Sequence, residues 1–442
     1  MRTIPTSPWA LLLAGGDGRR LKPLTRQIAG DPRPKQFCAI LDGETLLDRT
    51  RRRAELLTRG DQHVVVVSRE HEPYYTGLAT QLAPDRLVVQ PRNAGTAPGI
   101  LYPLLRIRQL AGDVPVVIFP SDHYVSDDGA FVTAVAHAVA VAGARPEFVV
   151  VLGVEATAPE TEYGWIDPDP VPLPLPGEPA FPIRRFWEKP SLRLAERLFE
   201  RGALWNSFVM VGRIDTFLGL TRRVAPDLLA AFDPVRLAIG SPREAEAAER
   251  AYAALESSGF SERVLVPGAD GLLTVRAKSV DWSDWGHPQR VMATMRRTGW
   301  RPAWLNRVEL ASVARPSGGT GPILVVEDDS DTRRALGELL TVLFPGSRVL
   351  MAESGEAALE LIRRTRPRVV ILDLHLGGIH GFDFAAHVVA MSTSRPPAIV
   401  ALTGDASPDT VRRAEAAGFA AFLRKPADAD TLETVLRPIL EA

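Results

Sequence analysis

The sequence predicts an α/β protein built from two doubly wound domains in tandem. Three observations carry this expectation. Short apolar runs alternate with longer segments of helical period, the runs lack a polar face, and the alternation restarts after a Gly/Pro-rich break. Runs such as HVVVVS, PVVIFP and EFVVVLGV are apolar throughout, as parallel strands covered on both faces must be. The stretch ASVARPSGGTGP, Ala311 to Pro322, has linker composition, so domains are expected over 1–310 and 322–442, joined by 311–321.

At 442 residues, 45% hydrophobic and 24% charged, the composition is that of a soluble globular protein, which excludes disordered and fibrous classes. The formal net charge of −1 gives no global field to draw nucleic acid or an anionic membrane, so neither is expected as a partner. No helix-turn-helix or basic stripe argues for transcriptional output. The lone cysteine, Cys38, leaves no disulfide framework and suits a reducing compartment. With no secretory h-region and no stretch of membrane-spanning length, a cytoplasmic protein is expected. Only five of the 52 basic residues are lysines, Lys22, Lys35, Lys189, Lys278 and Lys425, so a lysine here marks a place where a compact ammonium is wanted.

In chain order, the strand WALLLA runs into GGDGRRLKPLTR, a glycine turn followed by basic residues. Glycines let a backbone close on phosphate oxygens, and arginine offers them a bidentate fork. The turn is neither a P-loop nor a dinucleotide fingerprint, since Leu21 stands where the latter needs a third glycine. Further on, DPDPVPLPLPGEPAFP, Asp167 to Pro182, is expected to hold no regular structure and to form a surface excursion between two strands, because proline removes donors and fixes φ. Beyond the break, ILVVE, SRVLM, RVVILD, AIVALT and AAFLR read as five strands, each followed by an amphipathic helix.

The full string G-G-x-G-x-R-L-x-P-L-T resembles the signature of sugar-1-phosphate nucleotidyltransferases. RPKQFCAI, QPRNAGTAPGI, FPSDHYV, EYGWI, FWEKP, LWNSFVMVGR and SVDWSDWGHPQR then follow in the order of that family's markers, most like its mannose-1-phosphate guanylyltransferases. The resemblance implies a Rossmann-like nucleotide-diphospho-sugar transferase fold. It implies a nucleoside triphosphate, GTP by likeness, and a sugar 1-phosphate, mannose 1-phosphate by likeness, as substrates.

In such a reaction a sugar phosphate oxygen attacks the α-phosphorus in line and pyrophosphate leaves, so charge neutralisation and positioning carry the work. By the resemblance, Ala14, Gly15, Gly16, Gly18 and Thr96 meet the nucleotide. Arg20 and Lys35 hold the triphosphate, and Asp122 and Asp284 hold Mg²⁺, a hard cation that takes one or two carboxylates when it bridges phosphates. Gly164, Glu188, Lys189 and Asn206 surround the sugar phosphate.

Structural roles compete with these. Asp122 could cap a helix, Asp284 could sit in a turn, Glu188 and Lys189 could be a solvated pair, and Tyr163 and Trp165 are either stacking platforms or core. His123 is expected to be structural, because the attacking phosphate oxygen is already ionised. Arg19, Gln90 and the run Phe208-Val209-Met210 depart from the family, where serine or threonine, glutamate and Gly-Met-Phe are usual. A phenylalanine at 208 would crowd a sugar pocket, which leaves the sugar and the base open.

In the second half, Glu327 and Asp328 end the first strand and Asp373 ends the third. Uncompensated, these carboxylates repel; Mg²⁺ among them removes the repulsion and prepares Asp373 as a nucleophile toward a phosphoryl donor. Thr403 and Lys425 add a hydroxyl and an ammonium, and the Lys425–Pro426 bond is a candidate cis peptide. This set resembles the receiver domain of bacterial response regulators, a flavodoxin-like (βα)5 fold, over Pro322 to Ala442. The resemblance implies phosphorylation of Asp373 by a sensor histidine kinase or phosphotransfer protein, with Thr403, Phe422 and Lys425 as the switch. Asp329 is expected to cap the helix from Ser330, and the imidazole of His375 receives no role. Beside a phosphorylation-regulated transferase stand two other readings: a non-catalytic nucleotide-sugar sensor in a phosphorelay, and a receiver used only for dimerisation, which keeps a homodimer open.

Overall fold

Strands without a polar face need cover on both sides, and each sheet of this protein has it. The structure is a computed structural model that describes residues 7–41, 43–175, 178–305, 321–344, 347–391, 396–404, 407–425, 427 and 429–441. The chain divides into two units, one of Met1–Gly18 with Arg33–Trp285 and the other of Arg19–Pro32 with Gly286–Ala442. Gly321 is the only residue of the expected linker among those described, and the Lys425–Pro426 bond lies outside them.

The first unit holds β1 (Trp9–Ala14), β2 (His63–Ser68), β3 (Leu87–Gln90), β4 (Pro115–Pro120), β5 (Tyr124–Val125), β6 (Val149–Glu155), β7 (Gly164–Pro168), β8 (Phe181–Glu188), β9 (Leu204–Arg213), β10 (Leu272–Ala277) and β11 (Trp282–Ser283). Nine of them form a mixed sheet in the order β3-β2-β1-β4-β9-β6-β10-β8-β7, while β5 and β11 pair separately. The chain leaves β1 toward β2 and β3 and returns to β1's other side as β4. That reversal opens a crevice at the carboxyl ends of β1 and β4, where ligands of α/β folds bind.

Alternate residues of one strand serve opposite cores. Leu11, Val64, Val66 and Ile118 pack with Ile100 and Leu104 of the helix Thr96–Ala111. Ala10, Leu12, Val65 and Val67 pack with Phe131 and Val135 of the helix Asp128–Ala144, which Asp127 caps by accepting from Ala130 N at 2.9 Å.

The proline-rich run is not irregular to its ends. Asp167 and Pro168 close β7, Phe181 and Pro182 open β8, and a bulge interrupts their pairing at Asp167/Pro168. β7 pairs with β9 only at Trp165 and Ile166, so Pro168 lies past that pairing and at the bulge, where proline's missing donor is tolerated.

The second unit carries a five-stranded parallel sheet of β12 (Ile323–Val326), β13 (Val349–Ala352), β14 (Val369–Leu372), β15 (Ala398–Thr403) and β16 (Ala421–Arg424), in the order β13-β12-β14-β15-β16. The helices of this unit used below are α1 (Lys22–Ala29), α2 (Pro288–Thr298), α3 (Ser330–Leu343), α4 (Gly355–Thr365), α5 (Gly381–Met391), α6 (Pro408–Ala416) and α7 (Ala429–Glu441). Leu340 and Leu436, from α3 and α7, cover one face of the sheet, and Ile362 and Phe384, from α4 and α5, cover the other. Asp329 accepts from Thr332 N at 2.8 Å and so caps α3, as expected, a bond worth about 1 kcal/mol. Among the described residues, no helix is long and apolar enough to cross a membrane.

Candidate functional sites

The turn after β1 is tied down by side chains from elsewhere. Gln36 donates to the carbonyls of Ala14 at 2.9 Å and Gly16 at 2.7 Å, and Ser68 Oγ donates to that of Gly15 at 2.8 Å. A Cβ on Gly15 would come within 2.3 Å of Gln90 Nε2, and Gly18 has φ +57°, so neither position takes a larger residue without strain. Gly16 faces open space.

Lys35 is 5% exposed, and its ammonium lies 3.2 Å from Asp122 Oδ2. It also donates to the carbonyl of Asp284, and to that of Trp285 at 3.2 Å. The antiparallel pairing of β5 with β11, Tyr124 opposite Ser283, brings the Asp122 and Asp284 segments side by side. Tyr124 stacks on Trp285 at 5.1 Å, and Trp285 holds the left-handed φ of +44°, a strained setting of the kind found at functional sites. Burial lowers the pKa of His123; the charges of Asp122 and Asp284 oppose this and Lys35 reinforces it. A largely covered imidazole that meets the Trp282 ring edge-on at 5.2 Å fits the structural role expected for it.

Further along the sheet, Gly164 stands opposite Glu188 in the β7–β8 register. A Cβ on Gly164 would meet Glu188 Oε2 at 3.0 Å and Asn206 Cβ at 3.2 Å, so the three residues are neighbours. Burial raises the Glu188 pKa, with the Lys189 charge and a hydrogen bond from Ser261 opposing. Lys189 takes φ +44° and its N–H donates to Tyr163 O at 3.2 Å.

Between the pairs Gly153↔Asn206 and Val151↔Met210, a single β6 residue faces three of β9, and Phe208 sits in that bulge at φ +61°. Ser207 Oγ donates to Leu152 O at 2.6 Å and Phe208 N–H donates to Asn206 Oδ1 at 2.9 Å, which fixes the bulge and the Asn206 side chain together. The family's usual glycine suits this backbone, whereas Phe208 pays in strain and packs its ring against the core around Met210.

In the second unit, Arg20 Nη1 lies 2.6 Å from His287 Nε2. The carboxylates of Glu327, Asp328 and Asp373 converge with one oxygen from each within 4.8 Å of the others, a hard oxygen donor set suited to a divalent cation. Lys425 Nζ reaches Glu327 Oε2 at 2.5 Å and Asp373 Oδ2 at 2.6 Å. Burial works to lower the Lys425 pKa, but the hydrogen bonds to Asp373 and Glu327 outweigh it and leave it raised. Burial also raises the Glu327 pKa. The N–H of Lys425 donates to Thr403 O at 2.8 Å, so the strand ends that carry the ammonium and the hydroxyl lie side by side. Phe422 is half-buried against the core under α5.

The Nucleotidyl transferase family profile matches residues 9–296, well over half of the chain. This protein belongs to that family. The Response regulator receiver domain profile matches residues 323–437, so a receiver domain follows the transferase-family region in the chain. It is 30% identical over 282 residues to a xanthan biosynthesis protein XanB of Xanthomonas campestris pv. campestris (strain B100), covering 62% of this chain and 57% of the relative. It is 27% identical over 284 residues to a mannose-1-phosphate guanylyltransferase of Escherichia coli (strain K12), covering 63% and 58%. The chain therefore spans less than two thirds of the length of these curated relatives. A crystal structure from Thermus thermophilus, titled a mannose-1-phosphate geranyltransferase, is similar with a TM-score of 0.55 at 27% identity, covering 73% of this chain and 85% of that one.

In the first unit, Lys35, Asp122 and Asp284 thus come together, as do Gly164, Glu188 and Asn206. Thr96 is placed otherwise: its hydroxyl accepts from Phe260 N at 2.8 Å. Tyr163 and Trp165 are buried among Trp205 and Trp282 and belong to the core. Three residues at the glycine turn were not expected from the sequence: Gln36, Ser68 and Gln90, whose Oε1 accepts from Tyr252 at 2.9 Å. Gln36 was visible inside the PKQF motif and Gln90 as a departure from the family; Ser68 carried no signal.

Proposed function

We propose that the protein transfers a nucleotidyl group from a nucleoside triphosphate, GTP by the names of its relatives, to a sugar 1-phosphate, mannose 1-phosphate by the same names, releasing pyrophosphate. The carrying observation is Lys35, whose one ammonium meets the Asp122 carboxylate and the Asp284 main chain at the crevice beside the glycine turn. A cation this buried is held for charges that arrive, and two phosphate esters are such charges.

The glycine turn leaves room for a backbone approach to the triphosphate, and Lys35 neutralises charge developing on it. Glu188 and Asn206 orient the sugar, Glu188 accepting from a hydroxyl while Asn206 and Lys189 meet the phosphate. Asp122 and Asp284 are the carboxylates suited to Mg²⁺, which when bound would draw charge off the phosphates. In the second unit, Glu327, Asp328 and Asp373 fit the same ion. Asp373 would accept a phosphoryl group from a sensor histidine kinase or phosphotransfer protein, with Thr403 and Lys425 holding its oxygens and Phe422 moving with Thr403. We take 1–310 and 322–442 as the two domains and the cytoplasm as the compartment, which the lone cysteine Cys38 supports.

Pyrophosphate release from GTP with mannose 1-phosphate is the test. It is expected to fall by about a thousandfold or more in Asp122→Ala and in Asp284→Ala. Activity surviving in both variants removes the assignment. A second reading, a nucleotide-sugar sensor that does not turn over, rests on Phe208 standing in the bulge beside Asn206. Tight binding of a nucleotide sugar without pyrophosphate from any triphosphate and sugar phosphate pair would favour it.

A further inference from the structure

The phosphoacceptor loop contains an imidazole that the proposed function leaves without a task. His375 follows Asp373 by two residues, and its N–H donates to Asp373 Oδ1 at 3.0 Å. Its ring turns the other way: Nδ1 shares a hydrogen bond of 3.1 Å with the Oγ1 of Thr403, which is fully buried at the end of β15. One residue thereby touches both the acceptor, through its main chain, and the hydroxyl proposed to move toward a phosphoryl group.

The contacts continue away from the acceptor. The His375 ring lies 6.2 Å from that of His380, which stacks on Phe382 at 5.6 Å and 13°. Phe382 meets Phe419 edge-on at 5.6 Å, and the guanidinium of Arg413, on α6, sits over the Phe382 ring at 4.5 Å. A row of rings therefore runs from the Thr403 hydroxyl to α6, separate from Phe422.

We propose that His375 is a positioning residue of the phosphoacceptor site: its imidazole holds the Thr403 hydroxyl in the unphosphorylated arrangement, and the ring row carries that hydroxyl's displacement to α6. The inference rests on Asp373 being the acceptor. In that step an Asp373 carboxylate oxygen attacks phosphorus, an acyl phosphate forms, and the donor's leaving group departs with its bonding electrons. For Thr403 Oγ1 to be displaced onto the new phosphoryl oxygens it must leave its place 3.1 Å from His375 Nδ1, so His375 opposes the phosphorylated arrangement. Breaking one hydrogen bond of ordinary net strength changes the equilibrium between the two arrangements by about fivefold.

The experiment phosphorylates the full-length chain with acetyl phosphate, acetate being the leaving group, and follows acyl phosphate at Asp373 and amide hydrogen exchange across 408–416. His375→Ala is expected to raise the rate of phosphorylation about fivefold, and His375→Asn, whose amide offers a donor and an acceptor in place of Nδ1, to bring it back toward the native rate. In a Thr403→Ala background His375→Ala is expected to add nothing, because the bond is already gone. His380→Ala is expected to leave the phosphorylation rate unchanged while abolishing the phosphorylation-dependent change in exchange over α6. The same rate in native, His375→Ala and His375→Asn chains overturns the inference, as does a full effect of His375→Ala without the Thr403 hydroxyl. A native chain that never labels at Asp373 sinks the acceptor reading itself, and this inference with it.

Discussion

Lys35 shows why a residue's chemistry follows from what it is buried against. An ammonium at 5% exposure is costly unless it is paired, and here one carboxylate and two carbonyls satisfy it. Lys35→Met keeps most of the volume and removes the charge, so the side chain still fills its place while Asp122 loses its partner. The expected outcome is a folded protein whose pyrophosphate release falls by about 10²–10³, the usual effect of deleting one stabiliser of transition-state charge. Lys35→Arg is expected to fare little better, because a planar fork does not fit a site that holds a compact ammonium. An unchanged kcat in Lys35→Met, measured by coupled pyrophosphate detection, contradicts this. Lys35 and Asp122 were legible because each sits in a short motif. Gln90 was not legible as a neighbour of Gly15: the two are 75 positions apart, and only the placement of β3, β2 and β1 in one sheet brings them together. Phe208 was legible as a departure, but the left-handed bulge that explains the usual glycine depends on β6–β9 register, which no local pattern encodes.

Strands were the best-read elements, since period and apolarity are local properties, and the proline run was misjudged at its ends because the β7–β8 pairing and its bulge are not local. β2 carries a consequence that its sequence alone does not show. His63 opens this buried strand at 2% exposure, sharing a 2.6 Å hydrogen bond with the Thr58 hydroxyl. Burial lowers its pKa, with the Glu55 charge opposing. A lowered histidine pKa means that the unfolded chain takes up the proton first as pH falls through about 6.5, so the unfolded state binds more protons there and stability drops toward acid. The slope from one such group is at most about 1.4 kcal/mol per pH unit. His63→Phe removes the proton site, and Thr58 keeps its bond to Ala54 O at 2.8 Å. Urea unfolding of the full chain at pH 5.5 and 7.5, followed by tryptophan fluorescence, is expected to show a smaller pH difference in His63→Phe than in the native protein. An equal difference assigns the acid sensitivity elsewhere.

At the scale of the whole molecule, the division of the chain is the informative feature. The turn Arg19–Leu21 and α1, which complete the nucleotidyltransferase signature, fall in the same unit as the receiver. Within that unit α7 meets the Arg19–Leu21 turn, and α1 and α2 both pack on α3. Lys22, Arg26, Glu433, Thr434 and Arg437 line a cleft of about 460 Å³ between α1 and α7. Composition placed the boundary between domains at the Gly/Pro run, because a linker has a compositional mark. It could not show that an early segment shares a unit with residues three hundred positions later, which is a matter of tertiary contact. A receiver changes state by shifting helices of its own fold, and α7 touches the signature turn. Phosphorylation at Asp373 is therefore expected to reach nucleotidyl transfer through α7. Thr434→Trp places a large side chain in the cleft without touching either acid cluster. With acetyl phosphate, the native protein should change its rate of pyrophosphate release, whereas Thr434→Trp should label at Asp373 to the same extent, keep its unphosphorylated rate and no longer respond. A variant that still responds in full would mean that α7 is not the route, and that the regulatory signal leaves the receiver by another face.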